Sequence, residues 1–141
     1  MQASFAQGGV KVDLLPAAGS QVYARVRAKQ HQAAIRLWIP DYFDAHSNAS
    51  AFAWNDGKSS TVAGLNGWKI PELNNATLAA VAEPDPAKRL DLYKKMQEQL
   101  QHNSPYVFVD QGKTQIVVRD NVKGYQQGLN ADMVWYDRVT K

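Results

Sequence analysis

Between Val10 and Ile39 the apolar period of the chain changes twice, and no other feature constrains the fold as much. Val10-Lys-Val-Asp-Leu14 alternates apolar and polar residues and stops at Pro16, the mark of a strand with one buried face. Ala17-Ala18-Gly19 reads as a turn. Ser20 is suited to capping a helix that runs to about Gln30, with Val22, Tyr23 and Val26 on one face. Ala34-Ile-Arg-Leu-Trp-Ile39 is a second run of strand length, ended by Pro40. Strand, helix and strand in about 30 residues predict a βαβ unit, with parallel pairing through a right-handed crossover. The expected fold class is therefore α/β, a mixed sheet holding this βαβ unit and flanked by helices.

The rest of the chain adds elements to that plan. Gln2 to Gln7 reads as the last turns of a helix, closed by Gly8-Gly9. So short a helix is marginal alone, which predicts further helix before Met1. From Asp41 to Gly67 the period dissolves into Asn, Ser, Asp and Gly, yet Tyr42, Phe43, Phe52 and Trp54 lie there. Long irregular segments of this kind often carry function. Pro71 to Ala82 reads as a helix with Leu73, Ala80 and Val81 inward. Asp85 caps a stronger one, with Pro86 at its first position and Leu90, Tyr93, Met96 and Leu100 at helical spacing. It ends near Asn103, before Pro105. Tyr106–Val109 and Thr114–Val118 read as strands joined by Asp110-Gln-Gly-Lys113, and Met133–Tyr136 as a last short strand. No repeat, low-complexity tract or linker divides the chain, so a single domain over residues 1–141 is expected.

Composition narrows the function classes. At 45% hydrophobic and 21% charged, the 141 residues can support a core without staples. The absence of cysteine excludes a disulfide framework, a thiolate zinc site and a cysteine nucleophile. A net charge of +3 comes from scattered basic residues, and the Lys88-Arg89 and Lys94-Lys95 pairs sit beside Asp85, Asp91 and Glu98. A nucleic-acid footprint is a stripe unrelieved by carboxylates, so no nucleic-acid partner is expected. No apolar run reaches the ~18–20 residues of a membrane span. Met1-Gln2-Ala3 has neither the basic nor the apolar region of a signal peptide.

Most chemical constellations fail on inspection. Gly57-Lys58-Ser59 resembles the end of a phosphate-binding loop, but Phe52 stands where the motif needs its first glycine. His31, His46 and His102 are not at metal-ligand spacing, and no metal or cofactor is implied. No serine occupies a Gly-x-Ser-x-Gly turn. Asp41 and Asp44 form a carboxylate pair for acid–base chemistry only if folding brings a reactive partner to them. No catalytic residue is assigned. Asn48-Ala-Ser50 and Asn75-Ala-Thr77 match glycosylation acceptors, a pattern common by chance.

Trp38-Ile-Pro-Asp41-Tyr42 remains. Ligands of open α/β sheets bind beyond the carboxyl ends of the strands. At such an end an indole, a carboxylate and a phenol can hold an ammonium by ion pairing, apolar contact and cation–π attraction of roughly 0.5–2 kcal/mol. Equally, Trp38 can be a core residue and Asp41 a cap.

Four stretches in order resemble the second lobe of the bacterial extracellular solute-binding proteins of family 5, the oligopeptide and dipeptide type. They are Val10-Lys-Val-Asp-Leu-Leu-Pro16, with a helix carrying Val22-Tyr-Ala-Arg-Val-Arg27; Leu37-Trp-Ile-Pro-Asp-Tyr-Phe-Asp-Ala-His46; Asp85-Pro-Ala-Lys-Arg-Leu-Asp-Leu-Tyr-Lys-Lys-Met-Gln97; and Ser104-Pro-Tyr-Val-Phe-Val109, followed by Val122-Lys-Gly-Tyr125. The resemblance implies a C-terminal lobe of a periplasmic-binding-protein type II fold, two lobes closing on the ligand. It implies a missing N-terminal lobe, a tail over 122–141 that returns towards that lobe, a periplasmic location and delivery to an inner-membrane ABC permease. The Asp of the family's Trp-x-x-Asp-Tyr motif meets the α-ammonium of a peptide, and here it matches Asp41, with Trp38 and Tyr42 as walls. Phe43 stands where many members have Pro, which leaves the ligand class open among peptides, nickel complexes, opines, sugars and haem. A single lobe supplies one wall, so weak binding is expected of this chain. Two other readings stand beside this one: a module that self-associates without binding ligand, and an enzyme using Asp41 and Asp44.

Overall fold

A computed structural model describes residues 1–128 and 133–141. The described residues form helices, not a sheet: 44% are helical and 3% are strand. The expected α/β class with a mixed sheet and a βαβ unit, and with it the lobe of a periplasmic-binding-protein type II fold, is corrected to an all-helical arrangement. Val10–Leu14, Ala34–Ile39, Tyr106–Val109 and Thr114–Val118 carry no regular structure. The only strand-like pairing among the described residues is two isolated antiparallel bridges, Lys123 with Thr140 and Gln127 with Val134. The physical reason lies in what alternation specifies. A period of two says that a segment can pair, but the stabilising ladder comes from a neighbour, and none of these runs has one here.

Two compact units make up the chain, Met1–Arg36 and Leu37–Lys141. In the first, α1 (Gln2–Gln7) and α2 (Gly19–Arg27) are joined by an irregular stretch that the Gln2 side chain ties down, its Nε2 donating to the Val12 carbonyl at 2.7 Å. The helix α2 stops three residues short of expectation. Lys29 takes φ +56°, and the N–H groups of Lys29 and Gln30 donate back to the carbonyls of Val26 and Arg25. That pair of bonds closes a helix with a left-handed residue, a position usually held by glycine.

Among the described residues of the second unit the helices are α3 (Ala45–Phe52), α4 (Val62–Leu65), α5 (Pro71–Ala82) and α6 (Pro86–Asn103), with a 3₁₀ turn at Tyr136–Arg138. The turn occupies part of the last strand expected at 133–136. Of the tail over 122–141, residues 129–132 lie outside the described residues. α5 and α6 begin at Pro71 and Pro86, where a missing N–H costs nothing. Asp85 caps α6 by accepting from Ala87 and Lys88. Pro84 and Pro105 end α5 and α6 by denying helical geometry to the residues before them.

The core is where α3, α5 and α6 meet. Leu73, Ala80, Tyr93, Met96 and Leu100 are buried there with Ala49 and Ala53 of the α3 end. On α5 the buried stripe is Leu73, Thr77 and Ala80, and Val81, expected inside, is exposed. Thr77 fits because its hydroxyl donates to the Leu73 carbonyl at 2.8 Å, which satisfies it internally. On α6, Leu90 also lies outside the core, and Tyr93, Met96 and Leu100 carry the packing. Asn55 is buried and satisfied: its amide donates to the Trp68 carbonyl at 2.6 Å, and its backbone exchanges two hydrogen bonds with the Asn74 side chain. This knot fixes the segment after α3 to α5.

Candidate functional site

The segment Leu37–Asp44 leads into α3 and is pinned to it at three points. The Trp38 indole Nε1 donates to Asn48 Oδ1 at 2.9 Å. The Asp41 backbone N–H donates to Ser47 Oγ at 3.2 Å. Asp44 is the N-cap, its Oδ1 accepting from the His46 backbone N–H at 2.7 Å. Trp38 also meets Phe52 edge to face at 5.3 Å, the start of an aromatic series that continues to Tyr106 and then Trp68. Such contacts add roughly 0.5–1.5 kcal/mol each beyond burial. Trp38 is thus positioned by packing on one side and remains 38% exposed on the other.

The two carboxylates have different duties. Asp44 is gripped by Arg89 of α6 in a two-pronged ion pair, Nη2 to Oδ1 at 2.7 Å and Nη1 to Oδ2 at 2.9 Å. The same guanidinium donates from Nε to the Ala80 carbonyl at the end of α5 and from Nη2 to the Tyr93 hydroxyl. One arginine therefore ties α3, α5 and α6 together. The bonds from Arg89 and the His46 N–H hold the Asp44 carboxyl at about 2, below its usual range. A carboxylate so committed is a poor proton carrier at neutral pH. Asp41 is exposed, and among the described residues its carboxylate has no hydrogen bond or ion pair. Its backbone is fixed while its charge is unspent. Tyr42, next to it, is 46% exposed.

Trp38, Asp41 and Tyr42 therefore share one anchored segment, but not at the mouth of a parallel sheet. The crevice expected there is absent with the sheet, and the helix α3 supports the segment instead. Asn48, Ser47 and Arg89 are the supporting residues that sequence reading missed. The capping residue is Asp44, whereas the sequence reading offered that role to Asp41. Arg89, 45 residues away, leaves no local trace.

Other sequence candidates find structural roles. In the loop at Gly57-Lys58-Ser59, the Asp56 carboxylate accepts from the N–H groups of Lys58 and Ser59, which lowers its pKa. The donors a phosphate needs are already taken. Asn48 holds Trp38, and Thr77 is buried in α5, so both glycosylation matches lie inside helices with one member engaged. No cluster of three or more potential metal ligands occurs among the described residues. Burial pushes the Tyr106 phenol up to about 12, and Asn66 opposes this only in part. No helix among the described residues is long and apolar enough to cross a membrane.

No family model, curated protein or solved structure matches the chain.

Proposed function

We propose that the Trp38–Tyr42 segment is a ligand-binding surface for a small solute with a cationic amine, such as a short peptide, in a solute-capturing component of an ABC importer of the periplasm. The observation that carries the reading is the unspent charge of Asp41 on a backbone held by Ser47, between a fixed indole and a half-exposed phenol. An ammonium here gains an ion pair and aromatic faces at little ordering cost, because the segment is already anchored. The Trp-x-x-Asp-Tyr likeness supports the same chemistry, and the helical setting replaces the sheet crevice. Ligand-observed NMR with a short peptide carrying a free amine tests it. Saturation transfer to that peptide, absent for its N-acetylated form and absent in Asp41→Asn, supports the reading. Equal transfer to both peptides sinks it.

A second reading is favoured by a separate observation. The runs that lack strand partners leave large apolar side chains at the surface, including Leu37, Val107, Phe108 and Val117. Such a surface favours association of the chain with copies of itself. Light scattering across a concentration series distinguishes the outcomes: growth of a dimer or larger species supports it, and a monodisperse monomer counts against it.

A further inference from the structure

The division of the chain into units also divides its charge. Met1–Arg36 carries five cations, Lys11, Arg25, Arg27, Lys29 and Arg36, against the single carboxylate of Asp13. That is a net +4 in 36 residues, while the other 105 sum to −1. Along the whole sequence the basic residues look scattered and relieved by acids; within this unit they are not relieved. Among the described residues none of the five forms an ion pair. Two of them instead gather on one phenol ring, the Arg36 guanidinium 4.0 Å and the Arg27 guanidinium 5.8 Å from the Tyr23 centroid. Like charges gathered on one ring repel each other, and any anion that reaches them relieves that repulsion.

The same unit exposes aliphatic surface. Leu14 and Leu15 are adjacent and exposed, Leu15 at 75%, and Phe5 and Ile35 are exposed as well. We infer that the Met1–Arg36 unit docks on an anionic phospholipid surface, its basic residues meeting the headgroup phosphates and its exposed Leu14-Leu15 pair entering the interface. Basic residues together with exposed aliphatic side chains are what such a surface selects. Single-stranded nucleic acid is the rival polyanion, and it is favoured less. It binds by stacking bases on aromatic faces, and of the two exposed aromatic side chains of this unit Tyr23 already faces Arg36, which leaves Phe5 alone. The inference is independent of the Asp41 surface, which lies in the other unit.

Vesicle co-sedimentation of the full chain tests it, comparing phosphatidylcholine vesicles with vesicles of equal parts phosphatidylcholine and phosphatidylglycerol. The expected result is binding to the anionic vesicles only, weakening steeply as salt is raised. Arg27→Gln with Arg36→Gln should reduce binding about 30-fold, from the usual contribution of a basic residue at such a surface. Lys94→Gln with Lys95→Gln removes the same charge from α6 of the other unit and should change binding by less than about threefold. Leu15→Ser should weaken binding with the charge unaltered. If circular dichroism shows that the double arginine variant has lost helix, Lys11→Gln with Lys29→Gln is read in its place. No binding to anionic vesicles, equal binding to neutral ones, or equal loss in the α6 variant overturns the inference. So does a single-stranded oligonucleotide that competes the chain off the vesicles at lower phosphate concentration.

Discussion

Asp41 and Asp44 are three residues apart and chemically alike, and their surroundings give them opposite work. Asp44 is consumed by the structure: it caps α3 and answers Arg89. Its carboxyl sits at about 2 in the folded chain, against 3.8 when unperturbed. The folded state therefore holds fewer protons on this group than the unfolded state between those values. Its stabilising contribution is complete above about pH 4 and is lost as the pH falls towards 2. Asp44→Asn should remove that acid-sensitive component, and Asp44→Ala should cost about 1 kcal/mol or more through the lost cap alone. Urea melts from pH 5 downwards check both; a wild-type profile retained by Asp44→Asn would contradict the clamp. Arg89→Lys should behave like a partial deletion, since an ammonium cannot reproduce the two-pronged grip. The sequence offered a capping role to Asp41 rather than Asp44 and gave no sign of Arg89, because an ion pair across 45 residues depends on how α3 and α6 pack.

At the scale of the element, the longer helices were legible, and the strands read from the sequence do not form. Pro71, Asp85, Pro86 and Pro105 are local punctuation, and α5 and α6 begin and end where these residues require. Helices satisfy their backbone internally, so local signals suffice to place them. Strands do not, and the Val10, Ala34, Tyr106 and Thr114 runs find no neighbour to complete them. The shorter α3 and α4 were hidden in a stretch rich in Asn and Ser, since Ala49, Ala53 and Ala63 bury helix faces too small to register as an apolar stripe. The orientation of the longer helices gives a direct test. Leu73→Ala should cost roughly 2–5 kcal/mol, because the side chain is fully buried between α5 and its neighbours. Leu90→Ala, on an exposed position of α6, should change stability by less than about 0.5 kcal/mol. Chemical denaturation of the two variants decides the matter. A loss at Leu90 as large as that at Leu73 would mean that the apolar stripe read from the sequence, with Leu90 inside, describes α6 better.

The whole molecule has a small helical core and long stretches of apolar surface that the core does not use. Val107 and Val117 are 84% and 97% exposed, and each belongs to a run whose pattern suits pairing. Replacing both with Lys should leave the melting behaviour unchanged, since neither side chain is packed. It should also lower any self-association, because charge on an unpaired run blocks edge-to-edge contact. Sedimentation velocity at two concentrations reads this; a double Lys variant that associates as strongly as the parent would place the contact elsewhere. The resemblance read from the sequence implied a sheet, and the described residues form none. Trp38, Asp41 and Tyr42 lie on a segment held by α3 rather than at a strand end.

Protein-observed NMR on the Trp38 indole N–H is the most direct probe of that arrangement, since this proton is donated to Asn48 and borders the Asp41 segment. On addition of a short peptide with a free amine, its signal and the Asp41 and Tyr42 amides should shift together, in the chain as given and not in Asp41→Asn. An indole signal indifferent to the amine, or one that responds equally in Asp41→Asn, would show that the unspent carboxylate recognises nothing.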